Sequence, residues 1–239
     1  MDSKKKKALR NKVHQSLLPF YTSNNYELDK KFGVFKKNGF EISWGVKAEY
    51  PQELVFRPGL RVSNDQIKKI LTDAVHSENL SVVTSRVSGA FLAQEFNVND
   101  YDHLIAENGI DHGCTYVISE ETKLSEVVND HRNYMEKVGF PFFEKLESLE
   151  GIDHYYNSRL LELELGDLKN ESIQKELNKI YTKQEALSGV VAAYLISKSK
   201  FDELVDRVKI YFKNNDFVLN DLHELITYLN QNPIQPAVA

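Results

Sequence analysis

The chain has 239 residues, of which 41% are apolar and 27% are charged, and its formal net charge at pH 7 is −5. These values are typical of a folded globular protein with one large domain or two small ones, and they exclude a disordered or fibrous chain. No window approaches about 18 consecutive apolar residues, so we expect no transmembrane helix. The lysine run near the start also lacks the apolar segment of a signal peptide.

Cys114 is the single cysteine, which excludes an internal disulfide and fits a reducing cytosol. We therefore expect a cytoplasmic protein without a membrane partner. The charge is unevenly distributed, because residues 1–119 have 16 Lys/Arg against 14 Asp/Glu, whereas residues 120–239 have 14 against 21. Duplex nucleic acid needs clustered positive charge, so the acidic second half argues against such a partner.

The first predicted element is an amphipathic helix over residues 3–21. Its apolar side chains recur at helical spacing: Leu9, Val13, Leu17 and Phe20. Pro19 and the polar residues after it are expected to end this helix. The lysines at positions 4 to 7 favour a solvated helix start, and the alternative is a nuclear-import signal or an anionic-lipid patch.

A meander of antiparallel strands follows, and its clearest member runs from Phe40 to Tyr50. Apolar residues occupy every second position of this strand, namely Phe40, Ile42, Trp44, Val46, Ala48 and Tyr50. This period of two predicts one continuous face on a core and a second face in solvent. Asn38-Gly39 predicts a type I′ turn back to a strand over residues 32–37. Phe35 would then lie opposite Ile42, and the Trp44 indole would cover Gly33.

Three further strands are predicted, over residues 54–62, within residues 80–92 and at residues 115–118. Between the first two, Ser63 and Gln66 form a capping box for a helix that ends near Ser77. Between the last two, residues 97–113 are rich in Asn, Asp and Gly and are expected to form a loop.

From Thr122 onward, apolar residues recur only at helical spacing. Gly139-Phe140-Pro141 is predicted to break the first of these helices, and Thr182 with Glu185 forms a capping box for a later one. Strands followed by helices predict an α+β fold. We expect an antiparallel sheet meander with packed helices over residues 1–120 and an all-α C-terminal subdomain over residues 121–239.

The N-terminal half also contains a series of packing motifs. They are the hairpin ending Lys36-Lys37-Asn38-Gly39, the strand after it, Phe56-Arg57-Pro58-Gly59-Leu60, and Gly139-Phe140-Pro141-Phe142-Phe143-Glu144-Lys145. In this order, over residues 8–150, the chain resembles an uncharacterised family of bacterial cytosolic proteins. This family is grouped as a domain of unknown function and is sometimes encoded near toxin–immunity loci. The resemblance implies a bacterial cytosolic protein and supplies no catalytic residues.

One group of residues has the chemistry of a metal site. His103, Asp111, His112 and Cys114 offer nitrogen, oxygen and sulfur ligands of the kinds that zinc accepts. A metal-dependent enzyme centred on residues 103–114 is therefore one hypothesis, although the spacing matches no standard zinc motif. The alternatives are a solvated polar loop, a His112 and Cys114 base–nucleophile pair, and a buried structural Cys114.

A second hypothesis is a small-anion binder on the polar face of the sheet. Arg57 and Arg61 lie four residues apart on the predicted third strand, and arginine binds phosphate or carboxylate through two parallel hydrogen bonds. Lys47 and Arg86 are further candidates for this site. The alternative is cross-strand pairing with the acidic residues of the same face: Glu41, Glu49 and Glu53.

Acidic residues in the helical half lead to the hypothesis that we favour. They are Glu144, Glu147 and Glu150, followed by Glu162, Glu164 and Asp167. Such a surface suits a basic protein partner, and a solvated charged face is the alternative. Since nucleotide-binding, hydrolase and zinc-finger signatures are absent from the sequence, we expect a non-enzymatic protein-binding or immunity-type module with no catalytic residues and no cofactor.

Overall fold

The computed structural model describes residues 3–50, 52–76, 85–88, 116–120, 122–177 and 182–233. Its strands are β1 Glu27–Asp29, β2 Val34–Lys37, β3 Phe40–Glu49, β4 Glu53–Val62, β5 Ser85–Ser88 and β6 Tyr116–Ser119. Its α-helices are α1 Ser3–Ser23, α2 Asp65–Ala74, α3 Leu124–Tyr134, α4 Phe140–Lys145, α5 Leu149–Glu162, α6 Glu171–Leu177, α7 Lys183–Ile196, α8 Lys198–Tyr211 and α9 Asp216–Gln231. A π-helical turn, Met135–Gly139, joins α3 to α4, and a 3₁₀ helix, Asp167–Lys169, precedes α6.

The predicted α+β class is confirmed, and the chain divides into two compact units that are interleaved along the sequence. The sheet unit consists of Met1–Val62 and Arg86–Glu144, and the helical unit consists of Ser63–Ser85 and Lys145–Ala239. The domain boundary predicted from the sequence lies at residue 120. In the two compact units, α2 belongs with the C-terminal helices and α3 belongs with the sheet.

The strands of the sheet unit lie in the order β1-β2-β3-β4-β5, and β6 also pairs with β4. The pairs β1–β2, β2–β3, β3–β4 and β4–β6 are antiparallel. The structure confirms the strands predicted within residues 80–92 and at residues 115–118 as β5 and β6. Strand β1, which pairs only three residues with β2, was not predicted.

The turn between β2 and β3 has the predicted form. Asn38 and Gly39 have φ angles of 45° and 83°, as a type I′ turn requires, and Phe35 lies opposite Ile42. Gly33 lies just before β2 with φ at 64°. The ring of His14, rather than the predicted Trp44 indole, packs against Gly33. A Cβ atom at position 33 would lie 2.6 Å from His14 Cε1.

The predicted continuous apolar face of β3 ends earlier than expected. The β3–β4 register shifts between Val46 and Ala48, so an irregularity adds one residue to β3 at that point. Because an added residue reverses the alternation of side chains, Tyr50 is 54% exposed instead of facing the core.

Helices α1 and α3 supply aromatic side chains that cover one face of the sheet. The ring of Tyr21 in α1 stacks on Phe35 at 4.1 Å between centroids, and the His131 ring of α3 meets the Trp44 indole edge-on at 4.5 Å. The sheet residues of this core are each at most 5% exposed: Phe35, Ile42, Trp44, Leu54, Phe56, Leu60, Tyr116 and Ile118. On the opposite face Val117 is 53% exposed, which confirms a sheet covered on one side.

One predicted helix end is close to the observed one, and one predicted helix break is wrong. Pro19 lies inside α1, as it does in the predicted helix over residues 3–21, and α1 ends at Ser23 with Phe20 and Tyr21 buried. Gly139-Phe140-Pro141 does not interrupt the second helical run, because the π-helical turn Met135–Gly139 accommodates the proline. In this turn the Phe140 N–H donates to the Met135 carbonyl, five residues back, immediately before Pro141.

The helix caps follow local hydrogen bonding. Asn64, rather than the predicted Ser63, caps α2, since its Oδ1 accepts from the N–H groups of Gln66 and Ile67 at 3.0 Å. Helix α2 then ends at Ala74 instead of near Ser77. The capping box of Thr182 and Glu185 at α7 is confirmed.

The helical unit is built around α7. Every residue of α7 from position 186 to position 193 is buried, and helices α2, α5, α8 and α9 all contact it. A helix that is apolar on all sides occupies the centre of a bundle, since no face of it suits water. The charged ends of the neighbouring helices then form the surface of this unit.

Polar groups are also buried between α5 and α7. Asp153 of α5 is 2% exposed and pairs with Lys200 of α8. Asn157 of α5 donates from Nδ2 to Asp153 Oδ1 at 2.7 Å and to the Gly189 carbonyl at 2.9 Å. The helices approach this closely because position 189 has no side chain, and a Cβ atom there would overlap Asn157 Oδ1.

His131 is the most deeply buried polar side chain of the sheet unit. It is 0% exposed, its Nε2 is hydrogen-bonded to Tyr21 Oη, and its Nδ1 has no partner among the described residues. Burial lowers the pKa of His131 to about 3 and raises the pKa of Tyr21. Both side chains are therefore neutral at physiological pH.

A pH titration of stability tests this arrangement. The folded protein keeps His131 neutral below pH 6.5, whereas the unfolded chain takes up a proton there, so stability is full above pH 6.5 and is lost as the pH falls toward 3. We expect the free energy of unfolding to fall by roughly 1.4 kcal/mol per pH unit from this residue. Urea unfolding at several pH values should show a shallower slope for His131→Gln than for the wild type. His223→Gln, at an exposed position, is the control and should retain the wild-type slope.

A methyl group added at Gly189 tests the contact between α5 and α7. We expect Gly189→Ala to lower the free energy of unfolding by about 2–3 kcal/mol, because α5 must move or Asn157 must lose its hydrogen bonds. Gly166→Ala is the matched control, since nothing lies within 4 Å of a Cβ atom there and its backbone is helical. Equal stability of the two variants in urea would contradict the proposed contact.

Candidate functional site

The predicted metal ligands cannot be placed, because His103, Asp111, His112 and Cys114 lie outside the described residues. In the part of the chain that the structure describes, no group of three or more His, Cys, Asp or Glu side chains is arranged to hold a metal ion. The metal hypothesis for residues 103–114 therefore stays a prediction.

The two arginines predicted to bind an anion both lie on β4. Arg61 pairs in register with Glu41 and donates from Nη1 to Glu41 Oε2 at 3.1 Å. Lys36 Nζ lies 3.6 Å from the other oxygen of the same carboxylate. An anion at Arg61 would have to displace Glu41 from this cross-strand pair. Arg57 lies opposite Gly45 in the same ladder, and binding of an anion by the two arginines stays a prediction.

The three glutamates predicted as a binding surface are all exposed. Glu144 lies in α4 and belongs to the sheet unit, whereas Glu147 and Glu150 belong to the helical unit. Glu150 is in the first turn of α5, where the positive end of the helix dipole favours a carboxylate. Ser148 caps the same helix by accepting from the Gly151 N–H at 3.0 Å.

The helical unit has a groove of about 430 Å³. Its lining comes from two segments, the turn after α5 and the last two turns of α8. The lining residues are Leu165, Glu203, Asp206, Arg207, Lys209 and Ile210. We take this groove as the candidate functional site, because it combines apolar and charged groups in one concave surface.

Arg207 fixes the two walls of the groove. Its Nη1 donates to the carbonyls of Leu160 and Leu163 at 3.0 and 2.6 Å, so it satisfies carbonyl groups that the end of α5 leaves unpaired. Its Nε and Nη2 also contact Glu203 Oε1 at 3.0 and 2.9 Å. The Arg207 side chain is only 13% exposed, and its guanidinium makes these contacts within the helical unit.

The remaining groups of the groove face solvent. Leu165 is 51% exposed. The carboxylates of Glu203 and Asp206 are 55% and 76% exposed. Lys209 lies 3.7 Å from Asp206, a distance at which an exposed ion pair is weak. The groove therefore combines an exposed leucine with exposed carboxylates.

The acidic residues predicted from the sequence lie at both ends of α5. Glu162 ends the helix and Glu164 follows it, next to Leu165 of the groove. Glu150 is about 12 residues earlier in α5, which separates it from the groove by roughly 18 Å. Asp167 folds back on the turn and accepts from the Glu164 N–H at 3.3 Å.

Sequence reasoning missed the α8 side of the groove. Glu203 and Asp206 lie one turn apart on a regular amphipathic helix, which gave no sign that they face α5. One signal was present in the segment Glu162-Leu163-Glu164-Leu165. Leu165 lies between Glu164 and Gly166, so it belongs to no apolar stripe of a predicted helix.

The comparisons with known proteins add no assignment to this site. The chain matches no model of a protein family, no curated protein and no solved structure. None of the helices in the described ranges combines the length and apolar composition needed to cross a bilayer.

Replacing Arg207 tests how the groove is held. Arg207→Met retains the apolar stem but removes the hydrogen bonds to both carbonyls, and we expect the free energy of unfolding in urea to fall by about 1–3 kcal/mol. Lys209→Met removes a positive charge of the same groove that makes no such contacts, and its stability should stay at the wild-type level. If both variants unfold alike, Arg207 does not anchor the end of α5.

Proposed function

We propose that the protein is a non-enzymatic binding module whose acidic helical unit docks a basic segment of a partner protein. The observation that carries this proposal is the groove that Leu165 lines together with the exposed carboxylates of Glu203 and Asp206. An immunity-type role, in keeping with the family resemblance, is one form of such binding. The single cysteine supports the cytoplasm as its location.

The charge of the helical unit supports a basic partner. Residues 145–239 contain 15 Asp/Glu and 11 Lys/Arg. At the groove itself, Glu203 is paired with Arg207 and Asp206 lies 3.7 Å from Lys209, and the exposed Glu162 and Glu164 beside Leu165 add further negative charge. Complementary charge speeds the encounter with a cationic segment and selects against anionic ones.

The apolar lining residues of the groove, Leu165 and Ile210, support a partner segment that also carries aliphatic or aromatic residues. Burial of Leu165 would remove apolar surface from water, which contributes roughly 25 cal/mol per Å². Energetic hot spots at interfaces are most often Trp, Tyr or Arg anchors in desolvated pockets inside a polar rim. A segment with an arginine or lysine next to a leucine or phenylalanine matches both parts of the groove.

Fluorescence anisotropy with a labelled peptide of alternating arginine and leucine tests the proposal. We expect the wild-type protein to bind this peptide and not its glutamate–leucine counterpart. The double variant Glu203→Lys, Asp206→Lys should bind at least about tenfold more weakly at about 50 mM NaCl, and the difference should narrow at about 500 mM because salt screens exposed charges. Leu165→Ser should weaken binding equally at both salt concentrations.

Two further double variants control for net charge. Glu126→Lys with Glu136→Lys changes two exposed acidic residues of the sheet unit and should leave binding unchanged. Glu147→Lys with Glu150→Lys changes the other end of α5 by the same charge. Loss of binding in this second variant, with normal binding by the Glu203/Asp206 variant, would overturn the groove as the docking site.

A further inference from the structure

The tip of the β1–β2 hairpin presents an exposed aromatic ring among lysines. Phe32 is 65% exposed, and Lys30 and Lys31 precede it in the turn. The ammonium groups of Lys31 and Lys36 lie 5.0 and 5.8 Å from the centre of the Phe32 ring. An apolar ring at a convex tip loses contact with water only when something outside the sheet unit covers it.

The turn holds Phe32 in this exposed position. Asp29 Oδ1 accepts from the N–H groups of Lys31 and Phe32 at 3.1 and 3.4 Å, and the Asp29 carbonyl accepts from the Gly33 N–H at 2.8 Å. Gly33 has φ at 64°, a conformation that favours glycine. The His14 ring occupies the space behind Gly33. Phe32 therefore projects from an ordered turn that is braced by α1.

The surroundings of the tip are strongly basic. Residues 3–37 contain ten Lys/Arg and two Asp/Glu. Lys7 lies two helical turns before His14, so it is on the same side of α1 as the tip, roughly 10 Å along the helix axis. Among the described residues, Lys7, Lys30 and Lys31 have no carboxylate within ion-pair distance, whereas Lys6 and Arg10 are paired with Glu49.

We propose that Phe32 with Lys7, Lys30 and Lys31 forms a peripheral binding site for an anionic lipid surface. The lysines would contact the headgroups, and the Phe32 ring would enter the boundary between the headgroups and the acyl chains. Single-stranded nucleic acid has the same negative charge, but its binding sites are basic grooves lined by several stacking rings. A convex tip with one exposed ring fits a soft, flat surface better.

This inference revises the expectation that the protein has no membrane partner. That expectation depended on the absence of a spanning segment, and a peripheral site needs none. The site includes Lys7, one of the lysines at positions 4 to 7, for which an anionic-lipid patch is the alternative interpretation.

Cosedimentation with vesicles tests the proposal. We expect the full chain to bind vesicles of phosphatidylcholine with about 30% phosphatidylglycerol and not pure phosphatidylcholine, and to be released by about 500 mM NaCl. Phe32→Ala and the double variant Lys30→Glu, Lys31→Glu should each lower the bound fraction at least about fivefold. Phe217→Ala is the matched control, because Phe217 is 82% exposed on α9 of the helical unit, and it should bind as the wild type does.

Urea unfolding of each variant separates loss of binding from loss of folding, and the exposed positions predict unchanged stability. A labelled oligothymidylate in the same buffer provides the competing outcome. Tighter binding to the oligonucleotide than to anionic vesicles would overturn the lipid assignment. Equal vesicle binding by the wild type and Phe32→Ala would overturn the role of the tip.

Discussion

Both units depend on one constraint, which is that burying a polar group costs free energy unless a hydrogen bond offsets the loss of water. In the sheet unit, Nε2 of the neutral His131 imidazole is hydrogen-bonded to the Tyr21 hydroxyl beside the Trp44 ring. In the helical unit, Asn157 joins Asp153 to the backbone of α7. Each of these contacts links elements that are distant in sequence, so the apolar packing around it has a defined register.

The sequence predicted elements whose signals are local. The alternation in β3 as far as Val46, the Asn38-Gly39 turn and the Thr182 capping box each depend on neighbouring residues, and the structure confirms them. The errors arose where tertiary packing overrides local preference. At Gly139 and Pro141, a π-helical turn continues a helical run that the sequence predicted to break. Residue order alone does not show this turn.

Only the α5 side of the candidate groove was predictable from the sequence, because tertiary contacts determine the α8 side. The carboxylates near Leu165 are visible in the sequence as an acidic segment. Their position relative to Glu203 and Asp206 depends on Arg207, which extends from α8 to the end of α5. There it donates to two backbone carbonyls and pairs with Glu203. A count of charged residues treats Arg207 as surface charge, whereas its 13% exposure removes it from the rim.

The difference between counted charge and accessible charge also matters for the whole chain, because a partner responds to local accessible charge and not to net charge. A net charge of −5 conceals a basic segment at residues 3–37 and an acidic one at residues 145–239. Phe32 in the first segment is exposed beside lysines, and Leu165 in the second is exposed beside carboxylates. Charge at such a site attracts a partner of opposite sign, and the apolar side chain adds binding energy that salt does not screen. The two features therefore select partners of opposite charge.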